Sequence, residues 1–254
     1  MKASWSIHVS GTSLILVLNI LLSVLGMLSP RFLSGTLLRP YRIARGQDYE
    51  TLIMSGFVHA DLAHLFFNLF TFYSFGPPLE HEIGTARFIL LYLCGLLVSS
   101  IGTCIKHKDE PNYASLGASG AILAVLFASI VYFPGQRLIF MLLPVPIPGP
   151  LFALAYLAFT YYSARRVAAS RSLPATLPGP GPTTPEPQSG PGPVPEPAPP
   201  PAAQPDPAAA PGFRDPQSRI NHDAHLFGAL TGLVFVLLTR PDRFQALLHY
   251  FTGG

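Results

Sequence analysis

The chain has 254 residues and a formal net charge of +3, with 49% hydrophobic residues and only 11% charged ones. Soluble domains carry about one quarter charged residues, so this composition excludes an ordinary soluble enzyme and indicates an integral, multi-pass membrane protein. The basic residues lie in short stretches between apolar runs and form no long basic stripe. We therefore expect the lipid bilayer as the surroundings and no nucleic-acid partner.

Six segments are apolar enough to be interpreted as membrane-spanning helices, the fifth being of marginal length. In chain order they cover residues 12–28, 49–75, 87–105, 119–133, 151–162 and 222–238. The first resembles a signal peptide, but Ser29-Pro30-Arg31 is a poor cleavage site, so we interpret it as a retained span. The second ends where Gly76-Pro77-Pro78 is expected to break the helix. The pattern predicts an all-α bundle of six transmembrane helices, with a Pro-rich bend before the fifth.

The segment between the fifth and sixth apolar runs has a different composition. Residues 173–216 contain 17 of the 28 prolines, interleaved with Gly and Ala and almost no large apolar side chain. Such a segment cannot bury a core and favours polyproline II conformations. We predict a disordered Pro-rich insertion over residues 171–218 that interrupts a single domain covering residues 1–254.

The fourth apolar run begins with Gly117, Ala118, Ser119 and Gly120. The first turn of a helix has unpaired N–H groups and a positive dipole end, so an anion that forms beside a serine there is stabilised, as acyl transfer requires. Small residues at this spacing are also common where transmembrane helices pack closely. This segment alone leaves both interpretations open.

Polar side chains also occur inside the second apolar run. His64 and Asn68 are four residues apart and so share one helix face, from which both can donate hydrogen bonds to one point. Such a pair could equally join two helices. His59 lies near the water boundary, and we interpret it as structural.

The last apolar run carries His225 beside a ridge of small residues. The fourth run has a matching ridge, so the two consist of Ala224, Gly228 and Gly232 in one and Gly120, Ala124 and Ala128 in the other. We predict that these helices pack together and that His225 reaches Ser119 as its general base. Asp223 is two residues from His225 and points to nearly the opposite face, which favours a Ser/His dyad without a third member.

Metal catalysis is a poorer interpretation of the same residues. The motif His-Glu-x-x-His is absent, because Ile83, Gly84 and Thr85 follow His81-Glu82. A zinc site made of His64, His222 and His225 would leave the serine without a function. We expect no metal and no cofactor.

Together, three separated motifs resemble those of the rhomboid intramembrane serine proteases. They are His59, His64 and Asn68 at steps of five and four, Gly-x-Ser-Gly at residues 117–120, and His-x-x-Gly-x-x-x-Gly at His225, Gly228 and Gly232; Glu80 before Gly84 is also similar. The resemblance implies a six-helix fold and cleavage of single-span membrane proteins near helix-destabilising small residues. It also implies site roles: Ser119 as nucleophile, His225 as base, and His64, Asn68 and the Ser119 N–H as oxyanion donors, with His59, Gly117, Gly120, Gly228 and Gly232 as structural neighbours.

The chain departs from the family pattern in two places. The Trp-Arg pair of the first loop is absent, with Glu50-Thr51 at its position, and the Pro-rich insertion is additional. Two rival functions also stay open: a catalytically silent rhomboid-like protein that binds or escorts client helices, and a small transporter lined by His64, Asn68 and His225.

Orientation in the membrane has two conflicting indications. Similarity to the six-span bacterial type implies the bacterial inner membrane and a cytoplasmic N-terminus. The basic residues favour the opposite orientation, because the first and third loops carry six against two in the second and fourth: Arg31, Arg39, Arg42, Arg45, Lys106 and Lys108 against Arg87 and Arg137.

Overall fold

The computed structural model describes residues 10–140, 143–171 and 221–252, and this part of the chain is mostly helical. The first half contains α1 (Gly11–Leu28), α2 (Pro30–Thr36), α3 (Pro40–Ile43), α4 (Thr51–Met54) with a 3-10 turn (Ser55–Phe57), α5 (Leu62–Ile83) and α6 (Thr85–His107). The second half contains α7 (Ser119–Tyr132), β1 (Arg137–Phe140), β2 (Leu143–Pro148), α8 (Gly149–Arg171), α9 (His222–Thr239) and α10 (Pro241–Thr252). Apart from Arg171 at the end of α8, the insertion predicted at 171–218 lies outside the described residues.

Three of the described helices, α1, α6 and α9, are long and apolar enough to cross a membrane. α5 and the segment Thr51–Phe57 before it are long and apolar enough only when taken together, and they are bent by 88° relative to each other. If they form one span, the described residues contain four candidate spans. α7 is apolar but has 14 residues, so it is about 21 Å long against a hydrocarbon core of about 30 Å. The structure supports an integral membrane protein, and the count of six spans stays a prediction.

α7 is enclosed by the other helices. Every residue from Gly120 to Tyr132 is buried, and α5, α6, α8 and α9 all pack against the helix. A helix that is apolar around its whole circumference is typical of a protein interior or a membrane span. Ser119, the first residue of α7, therefore lies at one end of the central helix.

The close packing of α7 against α9 depends on small residues. A Cβ atom built on Gly228 would lie 2.0 Å from the carbonyl oxygen of Gly120, and one built on Gly232 would lie 2.2 Å from that of Ala124. Both distances are far inside van der Waals contact, so the two backbones touch at these positions. The two ridges of small residues thus meet face to face.

The expected end of the second span at Gly76-Pro77-Pro78 is wrong, because α5 continues through both prolines to Ile83. Each proline removes one backbone donor, but the additional helix buries Leu79, Glu80 and Ile83. Glu80 then caps α1: its carboxylate accepts hydrogen bonds from the N–H groups of Gly11 and Thr12 at 2.6 and 2.8 Å. Burial and this long-range cap favour the longer helix.

A β-hairpin replaces the Pro-rich bend expected before α8, so the prediction of an all-α fold is not fully correct. β1 pairs antiparallel with β2, with Arg137 opposite Pro148 and Leu138 opposite Ile147. Prolines occupy positions 144, 146 and 148 of β2. Because proline favours extended backbone and alternate residues keep their N–H groups, this spacing permits one strand of a two-stranded ribbon.

Candidate active site

Ser119 follows a sharply turned loop that the surrounding residues hold in place. Gly117 has φ of +121°, a conformation that L side chains rarely adopt, and its N–H donates to the carbonyl of Ser55 at 2.8 Å. A Cβ at Gly117 would lie 2.7 Å from Cε1 of His64. Glycine is therefore required both by the backbone conformation and by the adjacent imidazole.

His225 and Ser119 are 106 positions apart in the chain and in direct contact. His225 Nε2 lies 2.9 Å from Ser119 Oγ. His225 is in the first turn of α9, where Asn221 accepts a hydrogen bond from the N–H of Ala224 at 2.9 Å. The amide of Asn221 also donates to Thr103 Oγ1 of α6 at 3.0 Å. The end of α9 that carries the imidazole is thus anchored to a second helix.

Tyr156 of α8 is a member of this site that the sequence analysis missed. Its Oη lies 2.9 Å from His225 Nδ1, on the opposite side of the imidazole from Ser119. Tyrosine hydroxyls buried in apolar surroundings generally find a hydrogen-bond partner. Both ring nitrogens of His225 therefore have partners. The three hydrogen-bonded side chains Ser119, His225 and Tyr156 come from α7, α9 and α8, respectively.

His64 and Asn68 lie one turn apart on α5, beside the loop that precedes Ser119. The ring of His64 contacts Gly117, as described above, and packs edge-on against His59 with ring centroids 4.9 Å apart. Asn68 is buried, and its Nδ2 donates to the backbone carbonyl of His64 at 3.1 Å. The side chain of Asn68 thus bonds to its own helix in this structure, with one amide hydrogen left for another acceptor.

His59 connects three parts of the chain around the site. It is completely buried, its Nδ1 lies 3.0 Å from Ser23 Oγ of α1, and its Nε2 accepts from the N–H of Ala118 at 3.3 Å. Because Nε2 accepts, Nδ1 carries the proton and donates to Ser23. His59 therefore fixes the residue immediately before Ser119 relative to α1.

A sequence model of one protein family, described as the Rhomboid domain, matches residues 46–172, which is half of the chain. The chain belongs to the rhomboid family. The matched region of this rhomboid includes His64, Asn68 and Ser119 and ends before α9, which carries His225. Rhomboids are generally intramembrane serine proteases, and the apolar helices agree with an integral membrane location.

Individual relatives of this rhomboid occur in bacteria and in mitochondria. It is 38% identical over 84 residues to the "Putative rhomboid protease YdcA" of Bacillus subtilis (strain 168), covering 33% of this chain and 40% of the relative. It is 29% identical over 120 residues to "RHOMBOID-like protein 12, mitochondrial" of Arabidopsis thaliana, covering 41% of this chain and 35% of the relative. It is 32% identical over 95 residues to "Presenilin-associated rhomboid-like protein, mitochondrial" of Homo sapiens, covering 37% and 25%.

These matches span less than half of the length of the relatives. No solved structure matches the chain. Because the relatives include mitochondrial proteins, the expected location in the bacterial inner membrane is not confirmed and stays a prediction.

Asp223 of this rhomboid faces away from the Ser119–His225 pair. Its Oδ2 lies 3.0 Å from His107 Nε2 and its Oδ1 2.5 Å from Lys106 Nζ, both at the end of α6. His107 Nδ1 in turn lies 2.8 Å from Glu110 Oε1. The position of Asp223 near the opposite face of α9 agrees with the helical spacing, whereas its partners on α6 were not predicted.

Proposed function

We propose that this rhomboid is an intramembrane serine endopeptidase that cleaves single-span membrane proteins within or near their transmembrane segment. Ser119 is the nucleophile and His225 the general base. The observation that carries the proposal is the distance of 2.9 Å between His225 Nε2 and Ser119 Oγ. A serine hydroxyl is a poor nucleophile until a neighbouring base takes its proton, and this distance supports His225 as that base.

The first half of the reaction forms an acyl-enzyme. The Ser119 hydroxyl proton moves to His225 Nε2 while Oγ bonds to the carbonyl carbon of the scissile peptide. When the tetrahedral intermediate collapses, the C–N bond breaks and Nε2 returns the proton to the departing amine. In the second half, His225 takes a proton from water as the water oxygen bonds to the ester carbon. The bond from this carbon to Ser119 Oγ then breaks, the acid product leaves, and Nε2 returns the proton to Oγ.

The negative charge on the carbonyl oxygen needs donors close to Ser119. We assign this role to the backbone N–H of Ser119, to the side chain of Asn68 and to His64. The N–H of Ser119 lies at the start of α7, where helix donors are unpaired and the dipole is positive. His64 is supported by its contact with Gly117, two residues before the nucleophile.

The proposed architecture is a single rhomboid domain over residues 1–254 with six spans: α1, α5 with its bent leading segment, α6, α7, α8 and α9. The proposed cellular location is the bacterial inner membrane, and no cofactor takes part in the proposed reaction. A substrate helix approaches in the bilayer and unwinds locally near small residues, which exposes its carbonyl to Ser119.

Labelling with a serine-reactive fluorophosphonate tests the proposal. The purified wild type is expected to be labelled at Ser119 and to cleave a model single-span substrate in liposomes. Ser119→Ala is expected to lose both properties, and His225→Ala to be labelled at a strongly reduced rate. The control is Ser129→Ala on the same helix, because Ser129 is buried with no hydrogen-bond partner for its Oγ among the described residues.

The outcomes separate the proposed function from its rivals. Cleavage by Ser119→Ala at the wild-type rate contradicts the assignment of the nucleophile. A wild type that is neither labelled nor active, but binds membrane-protein clients, identifies a catalytically silent rhomboid. Solute flux in liposomes without labelling identifies a transporter.

A further inference from the structure

We infer that Tyr156 is a positioning residue that holds His225 in the tautomer and orientation needed for proton transfer. This inference rests on the proposed function, since it concerns the general base of that reaction. Its starting point is the hydrogen bond of 2.9 Å between Tyr156 Oη and His225 Nδ1. The second ring nitrogen of the same imidazole lies 2.9 Å from Ser119 Oγ.

The proposed reaction requires one particular direction of these hydrogen bonds. A neutral imidazole has one donor and one acceptor nitrogen, and Nε2 accepts a proton from Ser119 only if Nδ1 carries the hydrogen. In that tautomer Nδ1–H donates to Tyr156 Oη, and it still does so after transfer, when both ring nitrogens are donors. Tyr156 thus stabilises the productive tautomer before transfer and the imidazolium after it, and it forms no bond to substrate.

The ring of Tyr156 is held in one orientation by aromatic neighbours. Phe127 of the buried central helix lies 6.0 Å away between ring centroids, and Phe152, one turn earlier on α8, lies 5.4 Å away. Phe127 has no solvent exposure. Because these neighbours restrict the Tyr156 side chain to one rotamer, its hydroxyl stays directed at His225. A residue that positions a catalytic group needs such a fixed rotamer.

Tyr156 is also the described side chain through which α8 hydrogen-bonds to the proposed dyad. α8 packs against α7, α9 and the hairpin, while much of its surface faces outward, including Leu151, Leu154, Phe159 and Tyr162. The two members of the dyad lie on α7 and α9, which pack extensively against each other. The position of this peripheral helix is therefore coupled to the orientation of the base by one hydroxyl group.

The test compares Tyr156→Phe with the wild type in the full-length protein. The substitution keeps the ring and its contacts and removes the hydroxyl. We expect kcat to fall about 10- to 100-fold, the effect of losing one hydrogen bond to a charged group, while KM is unchanged because no substrate contact is lost. Tyr162→Phe on the same helix, 65% exposed, is the matched control and is expected to keep the wild-type kcat.

A second readout reports on the imidazole directly and does not depend on activity. In protein labelled with ¹⁵N-histidine, the ring signals of His225, assigned by their absence in His225→Ala, are expected to show the Nδ1–H form in the wild type. In Tyr156→Phe they are expected to shift towards the average of the two tautomers. The circular-dichroism spectra of the two folded proteins are expected to coincide, which shows that the substitution leaves the helices intact.

Either an unchanged kcat or unchanged His225 ring signals in Tyr156→Phe overturns the inference. A lower kcat together with shifted signals supports it. If the wild type is neither labelled at Ser119 nor active, the proposed function fails by itself. The ¹⁵N signals then still decide whether Tyr156 sets the tautomer of His225, so the two failures are distinguishable.

Discussion

Asp223 of α9 and His107 of α6 are joined by a hydrogen bond of 3.0 Å at the end of the bundle that also contains Ser119. His107 is 2% exposed, and Lys106 adds a second contact to the same carboxylate. This interaction ties the first turn of α9 to α6 only two residues before the proposed base. The carboxylate of Asp223 thus bonds to side chains of α6 and fixes the start of α9, and it does not bond to the imidazole of His225.

Asp223→Ala is expected to destabilise the protein. The substitution removes the acceptor of a buried His107 N–H and one partner of Lys106, and leaving a buried polar group without that acceptor costs about 1–3 kcal/mol. Unfolding in detergent is expected to show a lower midpoint, together with reduced cleavage because the start of α9 is less firmly held. Asp242→Ala, at a side chain 56% exposed, serves as control, and equal midpoints for the two variants would contradict this account.

Gly117→Ala is expected to abolish labelling at Ser119. The residue has φ of +121°, and an added Cβ would lie 2.7 Å from His64, so either the loop or the imidazole must move. The rate at which the fluorophosphonate labels Ser119 and the midpoint of thermal unfolding measure the effect. Gly135→Ala is the matched control, because nothing lies within 4 Å of a Cβ at that position. Labelling of Gly117→Ala at the wild-type rate would show that the conformation of this loop is unimportant.

Gly228→Ala is expected to separate α9 from α7. The new methyl group would lie 2.0 Å from the Gly120 carbonyl oxygen, which is backbone and cannot rotate away. Overpacking of this kind costs about 1–3 kcal/mol or more, and the resulting shift moves His225 away from Ser119. Cleavage and stability should fall together, whereas Gly35→Ala, with open space around it, should change neither. Retained cleavage at normal rates would mean that the two backbones are not in contact.

Asn68→Ala is expected to slow cleavage without eliminating it. Removing one oxyanion donor costs about 3–4 kcal/mol of transition-state stabilisation, equivalent to about a 10²- to 10³-fold loss in kcat. The remaining donors and the Ser119–His225 pair are intact in this variant. Steady-state kinetics on a model substrate measure the loss. An unchanged kcat would remove Asn68 from the oxyanion site and leave it as a residue that bonds to the His64 carbonyl.

Long-range contacts of the site were predictable where the sequence carries a repeated physical signal. Apolar length alone locates α1, α6 and α9 to within a few residues. The two ridges of small residues predict the close approach of α7 and α9, and the structure has Ser119 and His225 in hydrogen-bond contact there. The catalytic roles of these two residues stay a prediction that only reactivity tests.

Other features depend on contacts that local patterns do not record. Two consecutive prolines normally indicate the end of a helix, but the burial of Leu79 and the capping of α1 by Glu80 favour continuation. Tyr156 has no sequence feature that separates it from Tyr161 and Tyr162 on the same helix. Only the packing of α8 against α9 determines which phenol reaches His225.

The complete enclosure of α7 has a consequence for how bilayer thickness acts on the protein. A helix without an outward-facing surface offers no side chains to the acyl chains, whereas α8 and α9 expose Leu154 and Leu237 at their outer faces. A change in the acyl-chain length of the surrounding lipids is therefore expected to reach α7 only through the helices that pack around it.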